Sequence, residues 1–215
     1  MNGLRVGGLT AFTTVDFPDH LAAVIFCQGC PWRCGYCHNR HLQPFRSAGT
    51  TRWTWSRVTD FLGDRVGILE AVVFSGGEPT AQPELGAAMK EVREMGFKIG
   101  LHTAGIFPEL LEAVLPLVDW VGLDIKAPFD SRYDQVTGRP GTASRAERSL
   151  RAVLASGKDH QLRTTIHPGL LSRRDCGRIE SDLRGRGAGP VVWQPFRERP
   201  MEVRQTACRG ARLAR

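Results

Sequence analysis

No run of about eighteen apolar residues occurs in this 215-residue chain, so no membrane-spanning helix and no membrane partner are expected. The opening residues, Met1-Asn2-Gly3-Leu4-Arg5-Val6-Gly7-Gly8, lack the apolar core of a secretory signal, which makes the cytoplasm the expected location. Charge is not segregated by sign either. The net charge is +7, but Lys and Arg mostly alternate with Asp and Glu, so the basic balance does not argue for a nucleic-acid partner. The exception is a basic tail over 197–215. There Arg197, Arg199, Arg204, Arg209, Arg212 and Arg215 face only Glu198 and Glu202, either as a solvated end or as a dock for an acidic partner. No linker breaks the rest. With 41% hydrophobic residues, 1–196 is long and apolar enough to form one domain around a sizeable core.

Cysteine is scarce and unevenly placed. Of six, four fall between Cys27 and Cys37, whereas Cys176 and Cys208 stand alone. A disulfide framework would spread them through a smaller, secreted chain, so clustering points to metal. Closely spaced soft thiolates select zinc or iron–sulfur. A structural zinc site wants four ligands, often in two separated pairs, and no second Cys/His pair with such spacing follows downstream. A four-cysteine iron–sulfur cluster is the other alternative. Cys27 would supply the fourth thiolate by count, although it sits within an apolar run where a small buried residue fits.

Six short apolar or β-rich runs are expected to be strands: Ala22–Cys27, Ala71–Ser75, Lys98–Thr103, Trp120–Ile125, Gln161–Ile166 and Pro190–Pro195. Between them, helical spacing marks Glu84 to Met95, Pro108 to Val118 and Ser144 to Ala155, with a more polar candidate from Arg173 to Arg184. Strands alternating with helices predict an α/β fold, an incomplete (β/α)6 barrel of mostly parallel strands, open on one side. Chemistry in such folds gathers at the C-terminal ends of the strands. The unusual residues fall there: the cysteines after the first run, Gly76-Gly77-Glu78-Pro79 after the second, Thr103-Ala104-Gly105 at the third, Asp124-Ile125-Lys126 at the fourth, Arg163 to His167 at the fifth and Gln194-Pro195-Phe196 at the sixth.

The spacing Cys30-x3-Cys34-x2-Cys37, with Tyr36 before the last cysteine, resembles the cluster loop of the radical S-adenosylmethionine superfamily. The resemblance implies a [4Fe-4S] cluster held by Cys30, Cys34 and Cys37, with S-adenosylmethionine on its open iron. Tyr36 would meet the adenine or form a lid over the cluster. His38, beside Cys37, reads as a further ligand or as a loop histidine. Ser75-Gly76-Gly77-Glu78-Pro79 matches a second superfamily motif, which pairs with the amino group of S-adenosylmethionine. The resemblance adds Thr103 to the cofactor contacts, and places Arg163, Thr165 and His167 near the ribose and methionine carboxylate. Asp124 and Lys126 form either a salt bridge or a ligand contact.

The chain also resembles the activating proteins of anaerobic ribonucleoside-triphosphate reductase and the wider group of glycyl-radical-enzyme activases. The residues that carry this are Leu9-Thr10, Thr13-Thr14-Val15-Asp16-Phe17-Pro18, Gln28-Gly29-Cys30-Pro31, Tyr36-Cys37-His38-Asn39, Val73 to Thr80 and Leu123 to Pro128, with Arg163-Thr164-Thr165 and Gln194-Pro195-Phe196. It implies a large glycyl-radical protein as partner, a flavodoxin or ferredoxin as electron donor, and no side-chain acid or base. A radical enzyme acting on a small molecule or peptide shares these motifs. One departure stands out: the group's third strand usually ends Asp-Thr-Asn-Gly, and this chain has His102-Thr103-Ala104-Gly105. In relatives that aspartate helps bind a monovalent cation, for which histidine is a poor ligand.

Overall fold

The computed structural model of the chain describes residues 3–46 and 53–197, so the basic tail after Arg197, and Cys208 within it, lie outside the described residues. Among the described residues, seven strands form one sheet in sequence order, β1 (Val6–Thr13), β2 (Ala22–Cys27), β3 (Ala71–Gly76), β4 (Lys98–Thr103), β5 (Trp120–Asp124), β6 (Asp159–Ile166) and β7 (Val191–Pro195). β1 pairs antiparallel with β2, and every later pair is parallel. β1 and β7 are the free edges, so the sheet does not close. The six expected strands are thus β2 to β7. The antiparallel β1 was not anticipated, because its Val-Gly-Gly-Leu-Thr-Ala-Phe-Thr sequence is glycine-rich and only half-buried.

Six helices connect the strands: α1 (Trp55–Gly63), α2 (Leu85–Glu94), α3 (Pro108–Val114), α4 (Ser131–Thr137), α5 (Thr142–Ala155) and α6 (Arg173–Arg184). α2 buries Leu85, Ala88, Met89 and Val92, the stripe read from the sequence. The third helix stops at Val114 rather than Val118: Pro116 has no N–H, and Leu115–Leu117 tightens into a 3-10 turn. α6, the most polar, starts on a reciprocal capping box between Ser172 and Asp175. α1 and α4 were not expected. Each is short and buries few residues, and each is fixed at its start by a side-chain cap, Thr54 accepting from Arg57 N and Asp130 from Arg132 N. Among the described residues no helix is long and apolar enough to cross a membrane.

Parallel strands bury both faces, and β2, β3 and β5 are accordingly near-continuous apolar runs. Ala23, Ile25, Val72, Phe74, Ile99, Leu101, Val121 and Leu123 pack with the helices. The opposite faces form a smaller cluster of Ala22, Val24, Ala71, Val73 and Trp120 around Phe17. Phe17 stacks on Trp120 with ring centroids 5.7 Å apart. Gly100 leaves room for it, since a Cβ there would lie 3.0 Å from Phe17. Phe17 alone of Val15-Asp16-Phe17-Pro18 is buried, and it fills that side of the sheet while Val15 stays exposed.

A candidate cluster and cofactor site at the strand ends

The cysteine loop leaves β2 and is held by backbone bonds on both sides. Gly29 N donates to Leu42 O, Cys30 N to Gln43 O, Arg33 N to Thr137 O and Gly35 N to Val136 O. The last two fasten the loop to the C-terminal end of α4, where Gly138 takes a φ of 65° against Arg33 O. Two buried glutamines add further bonds: Gln28, quoted in the sequence only as part of the motif before Cys30, and Gln82, which sequence reasoning did not single out. Gln28 donates to the carbonyls of His41 and Pro44, and Gln82 to those of Arg5 and Gln28. Nothing in the sequence separates Gln82 from a surface glutamine.

Cys30, Cys34 and Cys37 are half-buried free thiols, whereas Cys27 is fully buried within β2. Burial, with Glu78 beside it, pushes the Cys30 thiol up to about 12, and burial also raises Cys34. Holding a metal requires the thiolate form, which a bound cation would stabilise against that burial. Among the described residues no three His, Cys, Asp or Glu side chains converge as ligands of a single ion. Cluster thiolates, each serving its own iron, have no need to.

The Gly-Gly-Glu-Pro segment reaches the same loop. Gly77 N donates to Cys27 O and Glu78 N to Gly29 O. Gly76 has φ 104°, and a Cβ on Gly77 would collide with Gly29 O. These glycines are required by the close approach of two protein backbones. Glu78 is buried, and its carboxylate accepts from Thr103 Oγ1 (2.5 Å), Thr80 Oγ1 (2.7 Å), Ala104 N (3.0 Å) and Thr80 N (3.2 Å). Glu78 and Thr103 therefore brace the ends of β3 and β4 against each other. Burial raises the Glu78 carboxyl against the lowering effect of those bonds.

On the concave face, alternation and register bring His102, Asp124, Arg163 and Thr165 to one side. Thr164 points the other way and donates to Ile125 O at 2.7 Å. Asp124 bridges two cations, Lys126 Nζ at 3.0 Å and Arg163 Nη2 at 2.8 Å. Burial opposes its charge, but Arg163 and Lys126 hold its carboxyl well below the usual range. Lys126 is likewise kept protonated by Asp124 despite burial. His102 does not stand open: its Nε2 lies 2.8 Å from Asp16 O and 3.3 Å from Arg163 Nη1. Burial and Arg163 lower its pKa to about 4, so it is neutral.

Tyr36 and His167 complete the ring of residues. The Tyr36 ring lies 5.8 Å below Lys126 Nζ and 6.5 Å from His167. Its hydroxyl is buried with no hydrogen-bond partner among the described residues. A buried, unpaired polar atom beside Lys126 and the Cys34 and Cys37 thiols leaves one hydrogen-bonding position that a bound group could satisfy. His38 is exposed, stacks on Phe196 at 4.9 Å, and has Nε2 2.8 Å from Arg197 O.

Fold and site together define a partial-barrel α/β protein with three half-buried thiols in one loop at its strand ends. Its family follows from comparison with known proteins: the chain belongs to the Radical SAM superfamily, whose family model matches residues 24–174. Members bind a [4Fe-4S] cluster and S-adenosylmethionine, and the three thiols with the unpaired Tyr36 hydroxyl fit that pair of groups. A Methanocaldococcus jannaschii protein, provisionally named a glycyl-radical enzyme activating enzyme, is 31% identical over 185 residues, covering 83% of this chain and 75% of that protein. The pyruvate formate-lyase-activating enzyme of Clostridium pasteurianum is 35% identical over 142 residues, 63% of this chain and 58% of the relative. A PqqA peptide cyclase of Gluconobacter oxydans is 31% identical over 143 residues, 64% of this chain but 39% of its own length. Among solved structures, Streptococcus suis SuiB bound to S-adenosylmethionine superposes with a TM-score of 0.61 at 14% identity. That match covers 80% of this chain and 39% of SuiB, and it establishes the fold alone.

Proposed function

We propose that this chain is a radical S-adenosylmethionine activase, which cleaves the cofactor reductively and generates a glycyl radical on a partner protein such as an anaerobic ribonucleoside-triphosphate reductase. The observation that carries this reading is the 31% identity running over three quarters of the length of the Methanocaldococcus jannaschii protein. When bound, the cluster and S-adenosylmethionine supply the one-electron chemistry that takes a hydrogen atom from the substrate. In this reading Cys30, Cys34 and Cys37 each hold one iron. Lys126 and Arg163, two cations facing one carboxylate on Asp124, are placed for the methionine carboxylate, with Thr165 and His167 beside them. Tyr36 covers the adenine. The backbone of Gly76 and Gly77 meets the amino group, while Glu78 and Thr103 keep that turn in position. The open side of the sheet admits a glycine loop, which would itself shut out water.

A second reading, action on a peptide or small molecule, draws support from the similarity to PqqA peptide cyclase. The two separate in one assay. With dithionite and S-adenosylmethionine, reconstituted protein forms 5′-deoxyadenosine slowly, and a glycyl-radical reductase raises that rate whereas peptides and metabolites do not. Stimulation by a metabolite or peptide alone transfers the assignment to the second reading. Alanine at Cys30, Cys34 or Cys37 is expected to empty the protein of iron, while Cys27→Ala keeps it, read by iron and sulfide content.

A further inference from the structure

The cysteine loop has a second, outward side. There a groove of about 430 Å³ is lined by Pro31, Arg33, Phe45, Phe107, Arg139 and Arg145, together with four further residues. None of the lining residues is acidic. Among the described residues, Arg33, Arg139 and Arg145 form no ion pair. In contrast, Arg93, Arg148, Arg163 and Arg186 are each matched with a carboxylate. Glu109, which feels Arg145, is already bonded to Arg148. Two of the three guanidiniums rest on the cysteine loop itself. Arg33 Nη1 donates to the carbonyls of Cys30 (2.6 Å) and Trp32 (2.8 Å), and Arg139 Nε to that of Pro31 (3.0 Å). Phe45 adds an apolar contact, 41% exposed.

We infer that this groove docks an acidic one-electron donor protein of the flavodoxin or ferredoxin type, an inference that rests on the function proposed above. Three arginines without carboxylate partners offer charge-assisted bonds to a surface rich in Asp and Glu, and would steer its approach. The position favours a donor over the substrate protein. The residues between Cys30 and Cys34, Pro31, Trp32 and Arg33, form one wall of the groove. None of Tyr36, Asp124, Lys126, Arg163, Thr165 or His167 lines it. A protein seated there reaches the cluster ligands from outside, so donor and substrate bind at once. The donor gives up one electron and the cluster accepts it; no atom is transferred.

The test measures binding of an oxidised flavodoxin by titration calorimetry at low and raised salt, using reconstituted protein, Arg145→Glu and the double variant Arg139→Glu/Arg145→Glu. Arg145 makes no bond to the cysteine loop, so its reversal leaves the loop's support intact. Flavodoxin should bind the double variant at least about tenfold more weakly, with the single variant between, and the salt dependence of the wild type should largely vanish. Dithionite-driven formation of 5′-deoxyadenosine should be the same in the wild type and Arg145→Glu, which keeps the Arg139 bond to Pro31. Equal flavodoxin affinity across the three proteins overturns the inference, as does loss of glycyl-radical-protein binding with flavodoxin binding intact. Failure of the wild type to cleave S-adenosylmethionine with dithionite counts instead against the proposed function.

Discussion

The ends of β3 and β5 both carry motif residues, and they use their polar groups in opposite ways. At β3, Gly77 and Glu78 direct their N–H groups to the cysteine loop, and all the hydrogen bonds of the Glu78 carboxylate are to protein donors. At β5, Asp124 is shared between Lys126 and Arg163, which leaves positive charge in excess on the concave face beside a neutral His102. The first end braces the cysteine loop, and in the proposed function its turn backbone also meets the amino group, while the second end is the receptor for the carboxylate. One motif can thus be needed for the shape of a site and another for its contact with the ligand.

Substitutions should separate the two ends. The largest effect is expected at Gly77→Val, whose side chain would run into Gly29 O. Stability should fall by roughly 3 kcal/mol or more, and iron should be lost with the loop geometry. A folded, iron-replete variant that fails only to bind S-adenosylmethionine would move Gly77 to the receptor class. Glu78→Gln comes next. It sets an amide N–H₂ among four donors and should cost about 1–3 kcal/mol in chemical denaturation. S-adenosylmethionine affinity should stay within about threefold. A large affinity loss at unchanged stability would make Glu78 a ligand. The smallest change in free energy is expected at Lys126→Met, where Asp124 keeps Arg163 as partner. Cofactor affinity should weaken roughly tenfold, about 1.4 kcal/mol, with iron content unaltered. Unchanged affinity would reduce Lys126 to a structural ion pair.

Much of this arrangement is legible in the sequence, because strand ends and motifs coincide in a parallel α/β fold. The cysteine spacing, Gly76 to Pro79 and Asp124 to Lys126 all fall where the apolar runs stop. What was not legible depends on partners distant in sequence. Gln28 and Gln82 matter because each meets backbone carbonyls that folding brings near. Phe17 fills its side of the sheet because Gly100 lies opposite it. His102 reads as a departure in a motif. Its consequence, a neutral ring held by Asp16 O and set against Arg163, needs the register of β4 with β5 and of β5 with β6.

The most direct test of the function is electron paramagnetic resonance of a glycyl-radical reductase mixed anaerobically with the reconstituted protein, reductant and S-adenosylmethionine. The account predicts a glycyl-type doublet that is lost when the partner's radical-bearing glycine is replaced by alanine, and absent when Cys34→Ala replaces the wild type. A system that forms 5′-deoxyadenosine with a metabolite while every glycyl-radical protein tested stays silent would contradict it.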